Sequence, residues 1–364
     1  MMNNNLVQQE VLSLLPPKRK NSSRWISFNA VCCSHNGESA DTRGRGGMLP
    51  NADGSVSYHC FNCGFKTGFY PGRPLGFKFR KLLKWLGADD NTVQRLVMEA
   101  LRLKESMPAD DHAAPPPVDI TFNPRALPQE SVSIAQLCTV IRLKVDYDKN
   151  GLVQESQLLN LAGEQLIEAA EYLHARRIQN KYDFYLTADT SYNLHRRVIV
   201  PFYWRDQLIG YTARAVTPDV KPKYHSNYEP NYVFNTNMQQ PNAKFVLVVE
   251  GPFDAMAVDG VATLSNDISE TQAEIIEDLG RDIIVVPDFD RHVDKRGKEV
   301  WPGEALVNRA IEYGWAVSFP VWREDPECKD VADAVKKYGK LFVLKSIIDA
   351  VEKNPVKIKL KSKQ

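Results

Sequence analysis

The 364-residue sequence lacks several features that define common classes of protein. No run of eighteen apolar residues is present, which argues against a membrane-spanning helix and a membrane partner. The segment from Met1 to Glu10 is rich in Asn and Gln, unlike the basic and hydrophobic segments of a secretory signal. A glycine-rich Lys-Ser/Thr loop is also missing, which argues against an NTP-driven motor domain. We therefore expect a soluble, cytoplasmic protein.

The net charge is only +1, so any affinity for a polyanion must come from local patches of charge. Cations and aromatic residues alternate after Cys63, and no acid occurs before Asp89. The cations are Lys66, Arg73, Lys78, Arg80, Lys81 and Lys84. The aromatic residues are Phe65, Phe69, Tyr70, Phe77, Phe79 and Trp85. Because cations suit phosphates and aromatic faces suit bases, the segment predicts a surface for single-stranded nucleic acid, with contacts from Lys66, Lys78 and Arg80. The alternative is that the aromatic residues pack a small module and the lysines form its solvated face.

Four of the six cysteines lie in two clusters along the chain, namely Cys32, Cys33, Cys60 and Cys63. Two residues separate Cys32 from His35, and two separate Cys60 from Cys63, a spacing typical of the two halves of a tetrahedral zinc site. The pattern predicts a closed structural zinc site with the ligands Cys32, His35, Cys60 and Cys63. Cys33 or His59 could replace a neighbour as ligand, and a set of buried free cysteines is the alternative. Residues 41–47, Asp-Thr-Arg-Gly-Arg-Gly-Gly, are predicted to form a flexible loop.

A proline-rich stretch divides the chain and predicts a semi-rigid connector over residues 108–118. Residues 1–107 would hold the cysteine-rich module and two short helices. Residues 119–243 contain a predicted helix at Glu164 to Ile178 and a hairpin at Arg197 to Arg214, and strands and helices alternate over residues 244–340. Residues 341–364 would form a C-terminal helix and a solvated basic tail. The predicted fold class is multi-domain α/β: a small zinc-ribbon module, a linker, a mixed α+β subdomain and a parallel α/β sheet.

Two hydrophobic strands in the C-terminal half run directly into carboxylates. The acids are Glu250 and Asp254 after the strand that begins at Phe245, and Asp288 and Asp290 after the strand that begins at Ile283. Open α/β sheets place their chemistry outside the carboxyl ends of such strands. Converging carboxylates repel one another unless a cation neutralises them, so the pattern predicts bound Mg²⁺ or Mn²⁺. Asp254 could equally serve as a helix cap.

These motifs, in their order along the chain, resemble those of DnaG-type primases. The sequence Cys32-x-x-His35 with Tyr58-His-Cys60-Phe-Asn-Cys63-Gly64 is similar to their zinc module, and Glu250-Gly-Pro-Phe-Asp254 with Asp288-Phe-Asp290 is similar to their Toprim catalytic domain. Successive motifs of the primase core resemble Tyr172-Leu-His-Ala-Arg176-Arg177, Arg197-Val-Ile-Val-Pro201, Gly210-Tyr-Thr-Ala-Arg214 and Pro222-Lys223-Tyr224. The resemblance spans residues 30–340 in one colinear order.

The resemblance implies a bacteriophage-type DNA primase, a nucleotidyltransferase that makes short RNA primers from NTPs on single-stranded DNA during phage replication. The enzyme would act in the host cytoplasm beside a separate replicative helicase. It implies Glu250, Asp288 and Asp290 as catalytic residues, with Glu250 left open between metal ligand and proton acceptor. The implied ligands of Mg²⁺ or Mn²⁺ are Glu250, Asp254, Asp288, Asp290 and Asp330. Asp330 could equally cap the helix that follows it. Arg197, Arg214 and Lys223 are implied to hold the template and the incoming nucleotide.

One inserted segment departs from the family pattern, because Arg291 to Trp301 separates the paired aspartates from the helix that begins near Gly303.

Two alternatives belong to other functional classes: a Toprim-family nuclease and a catalytically silent single-stranded-DNA-binding factor of replication or recombination. The zinc module and the basic middle region disfavour the nuclease. The carboxylates disfavour the silent factor, because buried like charges reduce stability unless they hold a metal.

Overall fold

The structure is a computed structural model that describes residues 6–22, 24–107, 120–139, 163–178, 181–240, 242–293, 297 and 299–363. The chain divides into two compact units. The first unit consists of Met1–Val118, Glu277–Asp282 and Glu312–Gly314, and the second of Asp119–Ile276, Ile283–Ile311 and Trp315–Gln364. The predicted connector at 108–118 lies outside the described residues.

The first unit contains a five-stranded antiparallel sheet and three helices. The strands, in their spatial order, are β1 (Arg19–Ser22), β2 (Trp25–Phe28), β3 (Gly46–Pro50), β4 (Val56–Cys60) and β5 (Lys66–Phe69). The helices are α1 (Leu6–Ser13), α2 (Phe77–Trp85) and α3 (Asp90–Ser106). Asp89 caps α3, since its side chain accepts a hydrogen bond from the backbone of Thr92 at 2.7 Å. The two helices predicted after the cysteines are therefore present.

The inner face of this sheet packs on the helices. In β4, Val56, Tyr58 and Cys60 are buried and the residues between them are half-buried, which is the alternation of a strand with one face in a core. The phenylalanines that follow are buried as well: Phe65, Phe69 and Phe79 belong to the same core, and Phe77 packs on the ring of Tyr313, all at most 9% exposed. These four were predicted to contribute base-binding faces, and their burial shows instead that they pack the module.

Asp41 fixes the loop that connects β2 with β3. Its buried carboxylate accepts hydrogen bonds from the backbone N–H groups of Ala30, Arg43 and Arg45 at 2.8, 2.9 and 2.7 Å. The guanidinium of Arg45 also donates to it at 3.1 Å. The sequence predicted a flexible loop over residues 41–47, whereas these bonds hold its first half in one conformation.

The described part of the second unit contains two five-stranded sheets and one two-stranded sheet. The first has the order β10-β9-β8-β7-β6 and is antiparallel throughout. Its strands are β6 (Val132–Ser133), β7 (Tyr185–Leu186), β8 (Arg197–Trp204), β9 (Gln207–Ala215) and β10 (Tyr224–Tyr228). The helix α4 (Glu164–Ala175) precedes β7. The strands β8 and β9 form the predicted hairpin.

The other five-stranded sheet has the order β12-β11-β13-β16-β17. Its strands are β11 (Phe245–Val249), β12 (Val261–Ala262), β13 (Asp282–Val285), β16 (Ala316–Ser318) and β17 (Val351–Glu352). The pairs β11–β12 and β13–β16 are parallel, and β16–β17 is antiparallel. The helices are α5 (Pro252–Val258), α6 (Glu270–Asp278), α7 (Gly303–Tyr313), α8 (Val331–Tyr338) and α9 (Lys340–Asp349). The mixed α/β architecture predicted from the sequence is confirmed.

The inserted segment after Asp290 and the C-terminal tail both contain secondary structure that the sequence did not predict. The inserted segment after Asp290 contains a small antiparallel hairpin of β14 (His292–Val293) and β15 (Glu299–Val300). The predicted solvated tail instead contains α10 (Pro355–Lys361), which is capped by the side chain of Asn354 and buries Ile358. No helix among the described residues is long and apolar enough to cross a membrane.

We predict that Asp41→Asn destabilises the first unit by about 2 kcal/mol, because backbone N–H groups lose an ionised acceptor. Burial alone would raise the pKa of Asp41, but its hydrogen bonds outweigh burial and lower the pKa to about 2 from an ordinary value of 3.8. A carboxyl group whose pKa is lowered by folding stabilises the folded state at pH values above its ordinary pKa. The difference in the free energy of unfolding between wild type and variant should therefore be largest at neutral pH. It should decrease as the pH falls from 3.8 towards 2.

Urea unfolding followed by amide hydrogen exchange in residues 30–45 of the full chain would measure this difference. Asp53→Asn is the matched control, since the Asp53 side chain accepts one bond, from the backbone of Ser55, in the same unit. Equal exchange in the Asp41 and Asp53 variants would contradict the prediction.

Candidate active site and metal centre

Four thiols converge in the first unit. The Sγ atoms of Cys32, Cys33, Cys60 and Cys63 all lie within 4.8 Å of one another. Cys32 and Cys63 are 3.4 Å apart, and Cys33 and Cys60 are 3.5 Å apart. A zinc–sulfur bond of about 2.3 Å gives a tetrahedron with edges of about 3.8 Å, so the cluster has the dimensions of a four-thiolate zinc site. Among the described residues, no other three His, Cys, Asp or Glu side chains bring ligand atoms so close together.

A polar group contacts each of the four sulfurs. The Asn62 side-chain amide donates to Cys33 at 3.3 Å, and its backbone N–H donates to Cys60 at 3.4 Å. The Asn36 amide donates to Cys63 at 3.5 Å, and the Tyr58 hydroxyl lies 3.3 Å from the sulfur of Cys32. Burial raises the pKa of the Cys32 and Cys33 thiols. Hydrogen-bond donors favour the thiolate form that a metal requires, so the surroundings suit a bound cation.

The fourth member of the cluster is Cys33, and His35 is not among the converging side chains. A short 3₁₀ turn covers Cys33–Asn36 and turns His35 away. Its exposed imidazole stacks on the indole of Trp85 with ring centroids 4.7 Å apart and an interplanar angle of 6°. The predicted ligand His35 is therefore replaced by Cys33, the substitute that the sequence had left open.

Carboxylates converge in the second unit where β11 and β13 end. Glu250 directly follows β11, and Asp288 follows the neighbouring strand. The backbone N–H of Asp288 donates to Oε1 of Glu250 at 3.2 Å, so the two acids are adjacent. Oδ1 of Asp288 is buried and has no hydrogen-bond partner. A buried carboxylate oxygen without a donor is the feature that a bound cation would satisfy.

Asp254 and Asp330 both lie at the N-terminus of α8. Asp330 is the N-cap residue and accepts a hydrogen bond from the backbone of Asp333 at 2.7 Å. Asp254 is only 6% exposed, and its Oδ1 accepts a bond from the backbone of Ala332 at 2.9 Å. The alternative that Asp330 caps the helix that follows it is therefore confirmed. Asp254 caps a helix as well, although the helix is α8 and not its own.

The four acids act on one another electrostatically. Burial, and then the charges of Asp254, Glu250 and Asp330, raise the pKa of Asp288 to about 10. Burial raises the pKa of Glu250 to about 7. Burial and the charge of Asp330 raise the pKa of Asp254. The carboxylates thus cannot all be ionised at neutral pH without added positive charge.

Asp290 stands apart from this group. Its side chain is 50% exposed, and its carboxylate lies 3.2 Å from the ammonium of Lys329. The chain leaves β13 at Val285, so Asp288 and Asp290 do not follow the alternation of a regular strand. The role of Asp290 as a ligand stays a prediction.

Cations and aromatic rings alternate beside the carboxylates. The Arg176 guanidinium lies over the rings of Tyr172 and Phe253, at 4.9 and 5.5 Å from their centroids. The Arg214 guanidinium lies over Tyr224 at 4.7 Å and over Tyr172 at 5.8 Å.

Arg176 and Lys223 also act electrostatically on the acids. The positive charge of Lys223 lowers the pKa of Asp288, and that of Arg176 lowers the pKa of Asp254. Tyr172, Tyr224 and Phe253 were not singled out from the sequence, although each lies inside one of the motifs quoted above.

The remaining predicted binding residues fall in different surroundings. Arg197 is 1% exposed, and its guanidinium donates to the carbonyl groups of Tyr192, Ala213 and Lys223 at 3.3, 3.4 and 3.4 Å. A side chain so buried cannot contact a polymer, so we assign Arg197 to the stability of the sheet. Of the three predicted cations in the first unit, Lys66 is exposed and both Lys78 and Arg80 are half-buried. The Lys78 ammonium lies 5.7 Å from the ring centroid of Phe65.

No protein-family model and no curated protein sequence matches the chain. The zinc-binding and RNA polymerase domains of the Aquifex aeolicus primase align with 96% of this chain and 84% of that chain, at 16% identity and a TM-score of 0.34. The Escherichia coli primase catalytic core aligns with 59% and 74%, at 18% identity and a TM-score of 0.34. A bacteriophage T7 lagging-strand DNA polymerase complex with gp4 primase domains aligns with 50% and 72%, at 13% identity and a TM-score of 0.28. Scores this low do not define a common fold.

We predict that Cys33→Ala abolishes zinc retention and that His35→Ala leaves it unchanged, because only the first change removes a converging sulfur. Metal content per chain, measured by mass spectrometry of the purified full chain after dialysis, distinguishes the two outcomes. Retention by the Cys33 variant together with loss from the His35 variant would restore the histidine as the fourth ligand.

Two variants of Asp254 separate its capping role from its charge. Asn keeps an oxygen that can accept the bond from Ala332, so Asp254→Asn should unfold near the wild-type temperature in magnesium-free buffer. Asp254→Ala leaves that buried N–H without an acceptor and should lower the free energy of unfolding by about 1–3 kcal/mol. Thermal unfolding of both variants measures the difference. Equal stability of the two would mean that the contact with Ala332 contributes nothing.

Proposed function

We propose that the chain is a DNA primase of the bacteriophage type, which synthesises short RNA primers from NTPs on single-stranded DNA by metal-dependent nucleotidyl transfer. The observation that carries the proposal is the cluster of the buried Asp254 with the half-buried Glu250, Asp288 and Asp330, beside the cations Arg176, Arg214 and Lys223. An acidic group supports metal binding, and neighbouring cations support phosphate binding. Both are needed to transfer a nucleotide.

The acids fit Mg²⁺ or Mn²⁺ by donor type and by charge. Carboxylate oxygens are the hard ligands that these ions prefer, and the unpartnered Oδ1 of Asp288 offers a free coordination position. Glu250 and Asp288 would hold the ion, and Asp290 would turn towards it from the surface. When bound, the metal would supply charge for the attacking 3′-hydroxyl and the leaving pyrophosphate.

The aromatic and cationic side chains would position the nucleotide. Arg214 is 8% exposed and its Nε is buried, so its guanidinium would act on a phosphate mainly through its charge. Tyr172 and Tyr224 hold the guanidinium between their rings, which restricts its motion. Asp254 and Asp330 are proposed to act mainly through α8, which they cap beside the metal ligands.

The first unit would hold a structural Zn²⁺ through Cys32, Cys33, Cys60 and Cys63, and would bind the template. Four sulfur ligands leave no open position, which agrees with a structural and not a catalytic ion. The Toprim-like sheet of the second unit would make the primer, and a separate helicase would supply the single strand. The order of motifs along the chain supports the combination, because zinc module, basic motifs and acidic motifs succeed one another as in DnaG-type primases.

We predict that Asp288→Asn lowers primer synthesis at least about a hundredfold, because the amide removes a negative ligand at the centre of the site. The same variant should be no less stable than wild type in magnesium-free buffer, since Asn removes a charge that burial disfavours. The assay combines single-stranded template, Mg²⁺ and labelled NTPs, and thermal unfolding gives the stability. Asp267→Asn is the control, a surface carboxylate that pairs with Arg309.

The same reaction, run with a labelled template, tests the nuclease alternative. Extension products with an intact template support the primase, whereas template fragments that depend on Asp288 would assign the carboxylates to phosphodiester hydrolysis. Normal primer yield from the Asp288 variant would overturn the catalytic assignment altogether.

A further inference from the structure

The inserted segment, residues 291–301, ends against the backbone of Asp288. It contains the hairpin of β14 and β15 and closes with Trp301, which is 8% exposed. The indole N–H of Trp301 donates a hydrogen bond to the backbone carbonyl of Asp288 at 2.7 Å. The bond therefore joins a segment that departs from the family pattern to the acid at the centre of the carboxylate cluster.

Three hydrogen bonds hold the two peptide groups that flank the Cα atom of Asp288. The N–H of Asp288 donates to Oε1 of Glu250 at 3.2 Å. The next peptide group is bonded at both ends: its carbonyl accepts from Trp301, and its N–H, that of Phe289, donates to the carbonyl of Lys329 at 2.9 Å. A peptide group is planar, so fixing the planes on both sides of a residue fixes its φ and ψ. The indole of Trp301 thus helps to set the direction of the Asp288 side chain.

The indole of Trp301 is itself held by two alternate residues that follow Asp288. The ring of Phe289 stacks on it, with centroids 6.1 Å apart and an interplanar angle of 15°. The Arg291 guanidinium lies 4.9 Å from the centre of the indole ring and donates to the carbonyl of Ser362, just after α10, at 2.7 Å. Contacts with the loop after β13 and with the C-terminal segment therefore restrict where the indole can lie.

The carboxylate of Asp288 is repelled by the acids around it. Burial is the largest cause of its raised pKa, and the charges of Asp254, Glu250 and Asp330 raise that pKa further. A carboxylate in such surroundings lowers its energy when it turns away from the other charges. Restraint of the backbone at Asp288 opposes that movement and keeps the side chain in the cluster.

A second tryptophan contacts the same phenylalanine and offers a comparison. The ring of Trp322 packs edge to face on that of Phe289, with centroids 5.7 Å apart, and Trp322 is 2% exposed. Its Nε1 is buried and has no hydrogen-bond partner in the part of the chain that the structure describes. Of these two buried indoles, Trp301 is therefore the one that donates to Asp288.

We propose that Trp301 is a positioning residue of the metal site, which holds the Asp288 carboxylate in place for Mg²⁺ or Mn²⁺ through the hydrogen bond to the Asp288 carbonyl. The inference rests on the proposed function and deepens it, because it gives the inserted segment a part in cation binding. Groups that orient a ligand without touching the metal govern metal affinity as well as activity.

The decisive variant is Trp301→Phe, which removes the donor and keeps a ring that can stack on Phe289. Binding of Mn²⁺ to the full chain, measured by electron paramagnetic resonance of the free ion, should weaken roughly tenfold. In the absence of Mn²⁺ and Mg²⁺, hydrogen exchange at the backbone N–H of Phe289 should accelerate, because its peptide group has lost the bond at the other end. Trp322→Phe is the matched control, since it removes an indole N–H without a partner from the same phenylalanine. It should leave both measurements at the wild-type values.

Primer synthesis gives a readout that a merely structural role would not move. The Mg²⁺ concentration for half-maximal rate should rise roughly tenfold in Trp301→Phe, and the rate at saturating Mg²⁺ should return close to that of wild type. A fraction of unfolded chain would instead lower the rate by the same factor at every Mg²⁺ concentration. That result would contradict the proposal.

A measurement on the wild-type chain needs no variant to fold. Coupling between two sites is reciprocal, so a bond that strengthens metal binding is strengthened by the metal to the same extent. Nuclear magnetic resonance with isotope-labelled tryptophan follows exchange of the indole N–H groups with solvent. Mg²⁺ should slow exchange at Trp301 roughly tenfold and leave Trp322 unchanged.

Wild-type Mn²⁺ affinity in Trp301→Phe, or exchange at the Trp301 indole that Mg²⁺ does not slow, would overturn the proposal. Equal weakening of Mn²⁺ binding by Trp301→Phe and Trp322→Phe would assign the effect to packing around Phe289 and also reject it. Asp288→Asn separates this inference from the proposed function. If Asp288→Asn binds Mn²⁺ as wild type does, the proposed metal site fails. If Asp288→Asn loses Mn²⁺ and Trp301→Phe retains it, only the positioning role is rejected.

Discussion

Repulsion between buried carboxylates is the interaction on which the second unit depends. Glu250 and Asp288 meet because neighbouring strands end side by side, and Asp254 and Asp330 meet because both accept hydrogen bonds from the start of α8. The charges of Asp254, Glu250 and Asp330 raise the pKa of Asp288, and the charge of Asp330 raises the pKa of Asp254. The surrounding elements offset this repulsion in part, through the helix N-terminus and through Arg176 and Lys223. The remaining negative charge would favour a bound cation, as the proposed function requires.

In the first unit the converging side chains are cysteine thiols instead of carboxylates. Its four thiols come from two separate segments: Cys32 and Cys33 lie at the start of the 3₁₀ turn, and Cys60 and Cys63 lie at the end of β4 and in the turn that follows it. A metal that joined them would tie two loops to one point in a unit whose core is small. Asp41 fixes the neighbouring loop independently of the thiols. The thiol cluster and the Asp41 carboxylate therefore hold the loops of this unit.

Local patterns predicted the elements of the fold well and the side-chain directions poorly. The strands before Glu250 and Asp288 were recognisable because continuous β-branched runs are a local signal. The choice between His35 and Cys33 depended on a turn of four residues that spacing alone does not describe. The burial of Arg197 and of the phenylalanines after Cys63 depended on helices and strands distant in sequence.

The position of Asp290 shows how such a site can assemble. The sequence predicted that Asp288 and Asp290 bind one cation, because alternate residues that leave a strand can turn towards a common ion. The strand β13 ends at Val285, however, before either aspartate. Asp290 instead pairs with Lys329 at the surface, where both side chains are at least half exposed. Exposed ion pairs contribute at most about 1 kcal/mol. Asp288, by contrast, is held beside Glu250 by its own backbone N–H. Under the proposed function, the fixed acids would therefore define where a cation binds, and Asp290 would have to turn towards it from the surface.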